Sequence, residues 1–436
     1  MTLPHLTAQL DAIFRTSLTG SVVRTEGAAT VVAGFPAPVG AIVEIERSSG
    51  QPVVGEVIGF REEHTLVCPL GDMTGVGHGN RVRLAQTQRV VSVGEELIGR
   101  VINGHGQPID GRPPLSLAEH AVVDRCAPPD LDRLAVDVPF STGIRAVDGL
   151  LPCGRGQRMA VFAGAGMGKS RLLCMLARHS EADVNVIALI GRKRRDVARV
   201  LEEKLGAEGL EKSVVVVANE DEPALLRVEA ASTATAVAEY FRNRGKHVLL
   251  LLDSLTRFAK AQREVGKAAG ETPAMRGYPP SLLASLTKLL ERAGPNPRGS
   301  ITAFYSVLVE SNDVNEPISN AAKSLLDGHI VLSRGLARRG IQPAIDVVES
   351  VSRLARHVAS MEQLAAIAKV RRLLALYRDH ERQLHSEARS AGSEPALDAA
   401  MAARDRIDRY LRQDLYQPHD PSAARHELLE LARNLG

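Results

Sequence analysis

Aromatic residues and an excess of one charge are what this 436-residue chain most lacks. Tryptophan is absent, and aromatic residues make up only 3% of the sequence. Platforms on which nucleic acid bases stack are therefore scarce. With 54 basic against 51 acidic residues, the net charge is only +3, so the chain offers no strongly basic composition to attract a polyanion. We therefore expect no nucleic acid partner.

Cysteines and long apolar runs are also few. The four cysteines, Cys68, Cys126, Cys153 and Cys174, follow no metal-binding spacing and lie in or beside apolar stretches. This pattern predicts reduced core thiols and a cytoplasmic location. No signal peptide is recognised, and no apolar run approaches the ~20 residues that a membrane-spanning helix needs. Any membrane association is therefore expected to be peripheral and mediated by partner proteins.

Residues 1–88 are predicted to form a helix followed by a small β-barrel. An apolar stripe indicates an amphipathic helix over Leu3–Leu18, which either packs on its own domain or docks a partner. From Gly20 to about Gln88, short β-type runs such as Ala41–Ile45 alternate with glycine and proline turns. That spacing is typical of a small antiparallel barrel. The turn-rich segment Ile98–Gly111 is expected to end it.

Residues 89–350 are predicted to form an α/β domain, and residues 351–436 a helical one. Near-continuous apolar strands separated by helices favour a parallel sheet covered on both faces. The strand candidates are Val184–Ile190, Ser213–Val217, His247–Leu252 and Ser300–Tyr305. In the last region, apolar spacing predicts a long helix through Leu364–Tyr377, a break at Gly392–Pro395, and helices near Leu397–Gln413 and Ser422–Leu435.

A glycine-rich stretch between a predicted strand and a predicted helix carries the clearest chemical signal. It reads Ala163-Gly164-Ala165-Gly166-Met167-Gly168-Lys169-Ser170 and follows the apolar run Met159–Phe162. Glycines let backbone N–H groups curl around an anion, and the start of the following helix adds partial positive charge. The pattern predicts a phosphate-binding loop, although Ala163 stands where the strict pattern has its first glycine. The predicted nucleotide contacts are Gly164, Ala165, Gly166, Met167, Gly168, Lys169, Ser170 and Arg171.

Two side chains of this loop have specific expected roles, and an acidic residue further on complements them. Lys169 can reach the β- and γ-phosphates of ATP, and the Ser170 hydroxyl can bind Mg²⁺. The apolar strand Val248–Leu252 ends in Asp253, which suits a contact to Mg²⁺ or its water. The alternative for Asp253 is a cap of the next helix. ATP and Mg²⁺ are therefore the expected cofactors.

Five long motifs resemble the flagellar and type III secretion export ATPases, which are relatives of the rotary ATP synthase α and β subunits. The resemblance covers nearly the whole chain and is densest from about Thr142 to Arg353. The motifs that carry it are Asp253–Ala259, Ala261–Glu264, Met275–Ser281, Gly299–Tyr305 and Asp327–Arg334.

The resemblance implies a fold, an assembly and a set of partners. The fold is a RecA-like parallel-sheet core with an N-terminal barrel and a C-terminal helical domain. The assembly is a ring of six copies with ATP sites at subunit interfaces, in which Arg353 is donated by the neighbour to neutralise charge on the transferring phosphoryl group. The alternative for Arg353 is a local structural ion pair. The implied partners are a regulator at the N-terminal helix, a central stalk protein, an export gate and substrate–chaperone complexes, beneath the inner-membrane export apparatus.

Two departures from the family pattern bear on activity. The family reads Gly-Glu-Arg-Gly-Arg-Glu-Val where this chain has Gly191-Arg192-Lys193-Arg194-Arg195-Asp196-Val197. The first glutamate polarises the attacking water, and a guanidinium at that position cannot accept a proton. Asp196 matches the second glutamate but lies about one helical turn further on. Gln342 replaces the aromatic residue that stacks on adenine, a contact worth about 1–3 kcal/mol.

These observations leave two main hypotheses. The first is an ATP-hydrolysing subunit of a flagellar or type III export apparatus, supported by the phosphate loop, Asp253 and Arg353. The alternative is a relative that binds nucleotide but turns it over weakly or not at all, supported by Arg192 and Gln342. The non-catalytic ATP synthase subunits, which have Gly-Gln-Lys-Arg at the same place, offer a parallel. An RNA-remodelling ring ATPase is a third and poorer interpretation, because the barrel lacks interleaved basic and aromatic residues.

Overall fold

The computed structural model describes residues 18–127, 134–309, 316–384 and 395–435. Its strands are β1 Thr19–Glu26, β2 Ala29–Ala33, β3 Ile42–Ile45, β4 Val53–Arg61, β5 His64–Pro69, β6 Arg81–Gln86, β7 Val90–Val93, β8 Val101–Asn103, β9 Glu119–Val122, β10 Pro139–Phe140, β11 Cys153–Gly154, β12 Arg158–Ala163, β13 Val184–Arg192, β14 Ser213–Asn219, β15 His247–Asp253, β16 Gly294–Pro295, β17 Ser300–Leu308, β18 Gly328–Val331 and β19 Val351–Ser352.

The helices alternate with the later strands. They are α1 Arg145–Leu150, α2 Lys169–His179, α3 Arg194–Arg199, α4 Gly206–Glu211, α5 Ala224–Asn243, α6 Leu255–Ala268, α7 Ser281–Leu290, α8 Pro317–Leu325, α9 Arg334–Arg338, α10 Ala355–Val358, α11 Met361–Leu384, α12 Pro395–Leu411 and α13 Pro421–Arg433. A π-helical stretch, Val200–Leu205, joins α3 to α4, and short 3₁₀ turns lie at Glu95–Leu97 and Met275–Gly277.

The predicted barrel is confirmed. Six antiparallel strands close on themselves in the order β1-β2-β5-β4-β3-β6. Alternate residues of β3 and β4 point inward, so that Val43, Ile45, Val53 and Val57 are fully or almost fully buried. This period of two lets one face of each short strand fill the barrel interior while the other meets solvent or neighbouring elements.

The core is a twisted sheet of mostly parallel strands, as predicted. Among the described residues its order is β19-β18-β12-β17-β15-β13-β14-β8, with β16 paired to β17. The neighbouring strands from β18 to β8 run parallel, and β19 is antiparallel to β18. Side chains of β12 alternate between two apolar layers: Met159 and Val161 on the side of α2, and Ala160 and Phe162 on the side of α5 to α8. Burial on both faces explains the continuous apolar runs.

The C-terminal helices pack on one side of this core. Helix α11 contacts α12 and α13, and α13 contacts α1. The buried Tyr410 of α12 donates a hydrogen bond from its hydroxyl to the carbonyl of Ala424 in α13, at 2.8 Å. Arg145 of α1 in turn donates to the Tyr410 carbonyl at 2.7 Å. In the described part of the chain, no helix combines the length and apolarity required to cross a bilayer.

The structure corrects two expectations, and two others lie wholly or mostly outside the described residues. The segment Ile98–Gly111 was expected to end the barrel, and that was wrong: it contains β8, the edge strand of the core sheet beside β14. Its short apolar run pairs with a distant parallel strand, which local turn signals do not reveal. Cys126 is exposed, so the prediction of core thiols is confirmed only for the other three cysteines. The helix predicted over Leu3–Leu18, and most of the break at Gly392–Pro395, lie outside the described residues.

Candidate nucleotide-binding site

The glycine-rich stretch forms a turn between β12 and α2, at the carboxyl end of a central strand. Gly166 and Gly168 have left-handed backbones with φ of 77° and 89°, conformations that glycine adopts without steric cost. Gly168 directly precedes Lys169, the first residue of α2. Ala165 and Gly166 are exposed, and Met167 folds back so that its sulfur lies 3.2 Å from the Gly164 nitrogen. This is the strand–loop–helix arrangement in which backbone N–H groups and a helix start receive a phosphate.

Asp253 lies at the centre of the buried charges behind this loop. It is the last residue of β15 and is almost completely buried. Its Oδ1 lies 2.9 Å from Lys169 Nζ and accepts a hydrogen bond from Ser306 Oγ at 2.8 Å. Asp253 does not cap the next helix, which was the alternative role. The cap of α6 is Ser254, whose hydroxyl accepts a hydrogen bond from the Arg257 nitrogen.

Arg192 is the second cation at Asp253. Its Nη2 donates to Asp253 Oδ2 and also to Ser170 Oγ, at 2.8 Å for the latter. Arg192 is 7% exposed, so its side chain lies inside the site and not on the solvated surface. The Arg192 guanidinium therefore bridges Ser170 and Asp253.

The charges in this cluster shift one another's titration. Burial lowers the pKa of Lys169, although the neighbouring Asp253 carboxylate acts in the opposite direction. Burial alone would raise the pKa of Asp253, but the charges of Lys169 and Arg192 and hydrogen bonds from Lys169 and Ser306 bring it below its ordinary value. Asp253 is therefore a carboxylate throughout the physiological pH range, and its charge is matched by two cations.

A β-bulge aims Arg192 at the site. Ile190 and Arg192 of β13 face Ala218 and Asn219 of β14, so Gly191 is the extra residue. Gly191 has a φ of 60°, and a Cβ there would come within 3.4 Å of the Arg257 side chain. Because a bulge re-aims the neighbouring side chain, the turn at Gly191 sets the direction of position 192.

The rest of the basic run is a solvated helix start. Lys193 caps α3, and Arg194 pairs with Asp221 at 3.0 Å on the surface. Arg195 is exposed, and its guanidinium lies 3.8 Å from the Asp196 carboxylate. Asp196 is in the first turn of α3, as expected for a residue one turn beyond position 192. Lys193, Arg194 and Arg195 are therefore solvated surface charges, and only Arg192 is buried.

Gln342 lies beside the phosphate loop. A Cβ placed on Gly168 would be 2.9 Å from the Gln342 Oε1 atom, which is buried and without a hydrogen-bond partner. Its backbone carbonyl accepts from the Gln413 nitrogen at 2.8 Å, linking the C-terminal helices to the loop. Sequence reasoning missed Gln413, and it also missed Ser306. The signal for Ser306 was its place directly after the family motif Gly299–Tyr305, and the register of β17 sets it opposite Asp253.

Arg353 is not part of this cluster within one chain. It follows edge strand β19, whose Ser352 pairs with Gly328 at the start of β18. Since β18 runs parallel to β12, this is the amino end of the strands, opposite the phosphate loop. The Arg353 guanidinium donates to the carbonyls of Leu326 and Lys323, at 3.2 and 2.8 Å. The structure thus separates Arg353 from the other predicted site residues of the same chain.

Comparison with known proteins identifies the family of this chain. A flagellum-specific ATP synthase of Treponema pallidum is 46% identical over 395 residues, which cover 90% of this chain and 88% of the relative. The chain belongs to the flagellar and type III secretion ATPases. The type 3 secretion system ATPase of Xanthomonas euvesicatoria is another of these ATPases, 43% identical over 94% of this chain and 92% of the relative.

Family models and solved structures agree with this assignment to the export ATPases. Residues 143–352 match the nucleotide-binding domain of the ATP synthase alpha/beta family, and residues 359–430 match the T3SS EscN ATPase C-terminal domain. The assembled ATPase EscN of enteropathogenic Escherichia coli superposes with a TM-score of 0.87 at 39% identity, covering 95% of this chain and all of EscN. EscN in complex with its central stalk EscO superposes with a TM-score of 0.86. The family's activity is ATP hydrolysis coupled to protein export.

Proposed function

We propose that this chain binds ATP at Gly164–Arg171 and serves as the ATPase subunit of a flagellar or type III protein export apparatus. The observation that carries the proposal is the phosphate loop at the carboxyl end of β12, with Lys169 buried against Asp253. Lys169 is held by a carboxylate that a phosphate can replace as its partner, so the ammonium is in place to contact the β- and γ-phosphates.

Assembly and location follow the relatives. EscN has been solved as an assembled ATPase and with a central stalk, and we propose a ring of six copies around a stalk protein for this chain. A cytoplasmic position at the inner-membrane export apparatus, with a regulator at the N-terminal segment and export-gate and substrate–chaperone partners, belongs to the same proposal. Arg353, on the edge of the sheet and away from its own loop, is proposed to serve the neighbour's site.

A second candidate is a nucleotide-binding subunit with little or no turnover. Arg192 stands where the family has its water-activating glutamate, and a guanidinium cannot act as a base near neutral pH. Loss of a general base lowers a rate by about 10²–10⁴-fold. Gln342 in place of an adenine-stacking aromatic points the same way, because it removes part of the base contact.

Steady-state ATP hydrolysis by the purified full chain, measured across protein concentrations, separates the two candidates. Lys169→Ala supplies the background rate. Turnover that rises with concentration and disappears in Lys169→Ala supports the ATPase. Nucleotide binding without turnover above background supports the second candidate.

Restoring the missing carboxylate provides the matched test. Arg192→Glu is expected to raise hydrolysis by about 10²-fold or more if water activation is the only deficit. The control is Arg195→Glu, which makes the same change of charge on an exposed side chain of the same run. A fast wild type that Arg192→Glu leaves unchanged would contradict the role assigned to position 192.

A further inference from the structure

The residues predicted to hold Mg²⁺ are already joined by a cation of the protein. Ser170 and Asp253 are the predicted ligands, and the Arg192 guanidinium donates to both of them through one nitrogen, Nη2. Asp253 is 1% exposed and Arg192 is 7% exposed. The arginine thus occupies the position between hydroxyl and carboxylate that a divalent ion would need.

A divalent ion does not fit the site in this arrangement. Both oxygens of Asp253 are engaged, Oδ1 by Lys169 and Ser306 and Oδ2 by Arg192. Two protein cations already balance this carboxylate, and a divalent ion held between Ser170 and Asp253 would have to displace the Arg192 guanidinium from both of them.

Arg192 is held in place by its surroundings. The Arg192 carbonyl accepts from the Glu220 nitrogen at 3.0 Å, which fixes the backbone beyond the bulge at Gly191. Its side chain donates to the buried Asp253 carboxylate and to the partly buried Ser170 hydroxyl, while its Nε atom is buried without a partner. An unpaired buried donor on a residue that contacts the phosphate loop is suited to an anionic ligand.

We propose that Arg192 replaces the metal ion, so that this site binds the nucleotide triphosphate without Mg²⁺. The inference rests on the proposed function, because it concerns the same nucleotide. Arginine is always protonated and pairs with phosphate through fixed N–H groups. Together Lys169 and Arg192 supply the positive charge that the loop lysine and a metal share in other phosphate-loop proteins.

The test is titration of a fluorescent ATP analogue into the purified full chain, once with excess Mg²⁺ and once with EDTA. We expect the two dissociation constants to agree within about threefold for the wild type. In Arg192→Gln, which removes the charge, we expect EDTA to weaken binding by about tenfold or more relative to Mg²⁺, the order of magnitude of one charge-assisted hydrogen bond. Arg195→Gln is the matched control and should behave like the wild type.

Each outcome decides a different point. Wild-type binding that EDTA weakens by tenfold or more overturns the replacement of the metal and leaves the proposed function standing. Metal-independent binding that persists in Arg192→Gln overturns the role of Arg192. Absence of binding in both conditions overturns this inference together with the proposed function. The wild-type comparison needs no substitution, so it stays decisive even if Arg192→Gln fails to fold.

Discussion

In the basic run 192–195, burial decides whether an arginine belongs to the site or to the solvated surface. Arg192 illustrates the point, because the same residue type at positions 194 and 195 is exposed and paired on the surface. At position 192 the side chain is enclosed between Ser170 and Asp253. Burial therefore turns one member of a basic run into part of the site, while its neighbours are ordinary solvated charges.

His105 gives a prediction at the same scale. Burial and the nearby Arg89 lower the pKa of this half-buried ring to about 4, whereas an unfolded histidine titrates near 6.5. Because the unfolded chain binds the proton more readily, stability should fall as the pH drops from about 6.5 towards 4. We expect His105→Gln to remove about 2 kcal/mol of this dependence, after allowance for screening.

The measurement is the urea midpoint of wild type and His105→Gln at several values between about pH 7 and 4. The difference between the two proteins isolates this ring from the other titrating groups. His78→Gln, which changes a histidine in an exposed turn, is the control. Parallel pH profiles for wild type and His105→Gln would show that the ring is not kept neutral by its surroundings.

Among the elements, the C-terminal helices depend on a buried polar contact. The Tyr410 hydroxyl of α12 donates to the Ala424 carbonyl of α13 at 2.8 Å, and the residue is only 6% exposed. Tyr410→Phe removes this buried hydrogen bond, whose net contribution is about 1 kcal/mol. We expect a lower urea midpoint of unfolding, which can be measured by far-UV circular dichroism.

Tyr416 is the matched control for this element. Its hydroxyl also donates to a carbonyl, that of Glu203 at 2.7 Å. The residue is 55% exposed, however, so water can replace the lost bond. Tyr416→Phe should therefore change the free energy of unfolding by less than about 0.5 kcal/mol. Equal effects of the two substitutions would contradict the importance of burial at Tyr410.

At the scale of the whole molecule, the position of Arg353 away from the phosphate loop of its own chain leads to a prediction about assembly. Arg353 lies at the amino end of the sheet, while the phosphate loop lies at the carboxyl end. If Arg353 acts on the neighbour, Arg353→Ala and Lys169→Ala should each abolish most hydrolysis alone. Mixed rings should recover a measurable part of it, because an intact loop then meets an intact Arg353 across one interface.

The measurement is ATP hydrolysis of the two variants mixed at equal concentration, against each variant alone. Lys169→Ala combined with Arg353→Ala in one chain, mixed with Lys169→Ala, is the control, since no interface in that mixture has an intact loop. If the mixture of the two single variants hydrolyses ATP no faster than the control mixture, Arg353 does not act across the interface. The experiment requires a hydrolysing wild type and applies to the first candidate function.

The sequence by itself determined the barrel, the parallel core and the helical end, because periodicity of two and long apolar strands are local properties. It also located the phosphate loop and Asp253, since strand, glycine turn and helix are contiguous along the chain. Motif resemblance identified the unusual position 192 in the same way.

Only the tertiary structure decided how these parts meet. That Arg192 bridges Ser170 and Asp253 depends on the pairing of β13 with β15 and on a bulge at Gly191, and neither is written in local spacing. The same holds for β8, which joins a strand more than 100 residues away along the chain. Contacts between distant segments arise from strand register and packing, so the bridge from Arg192 to Ser170 and Asp253 became visible only in the folded molecule.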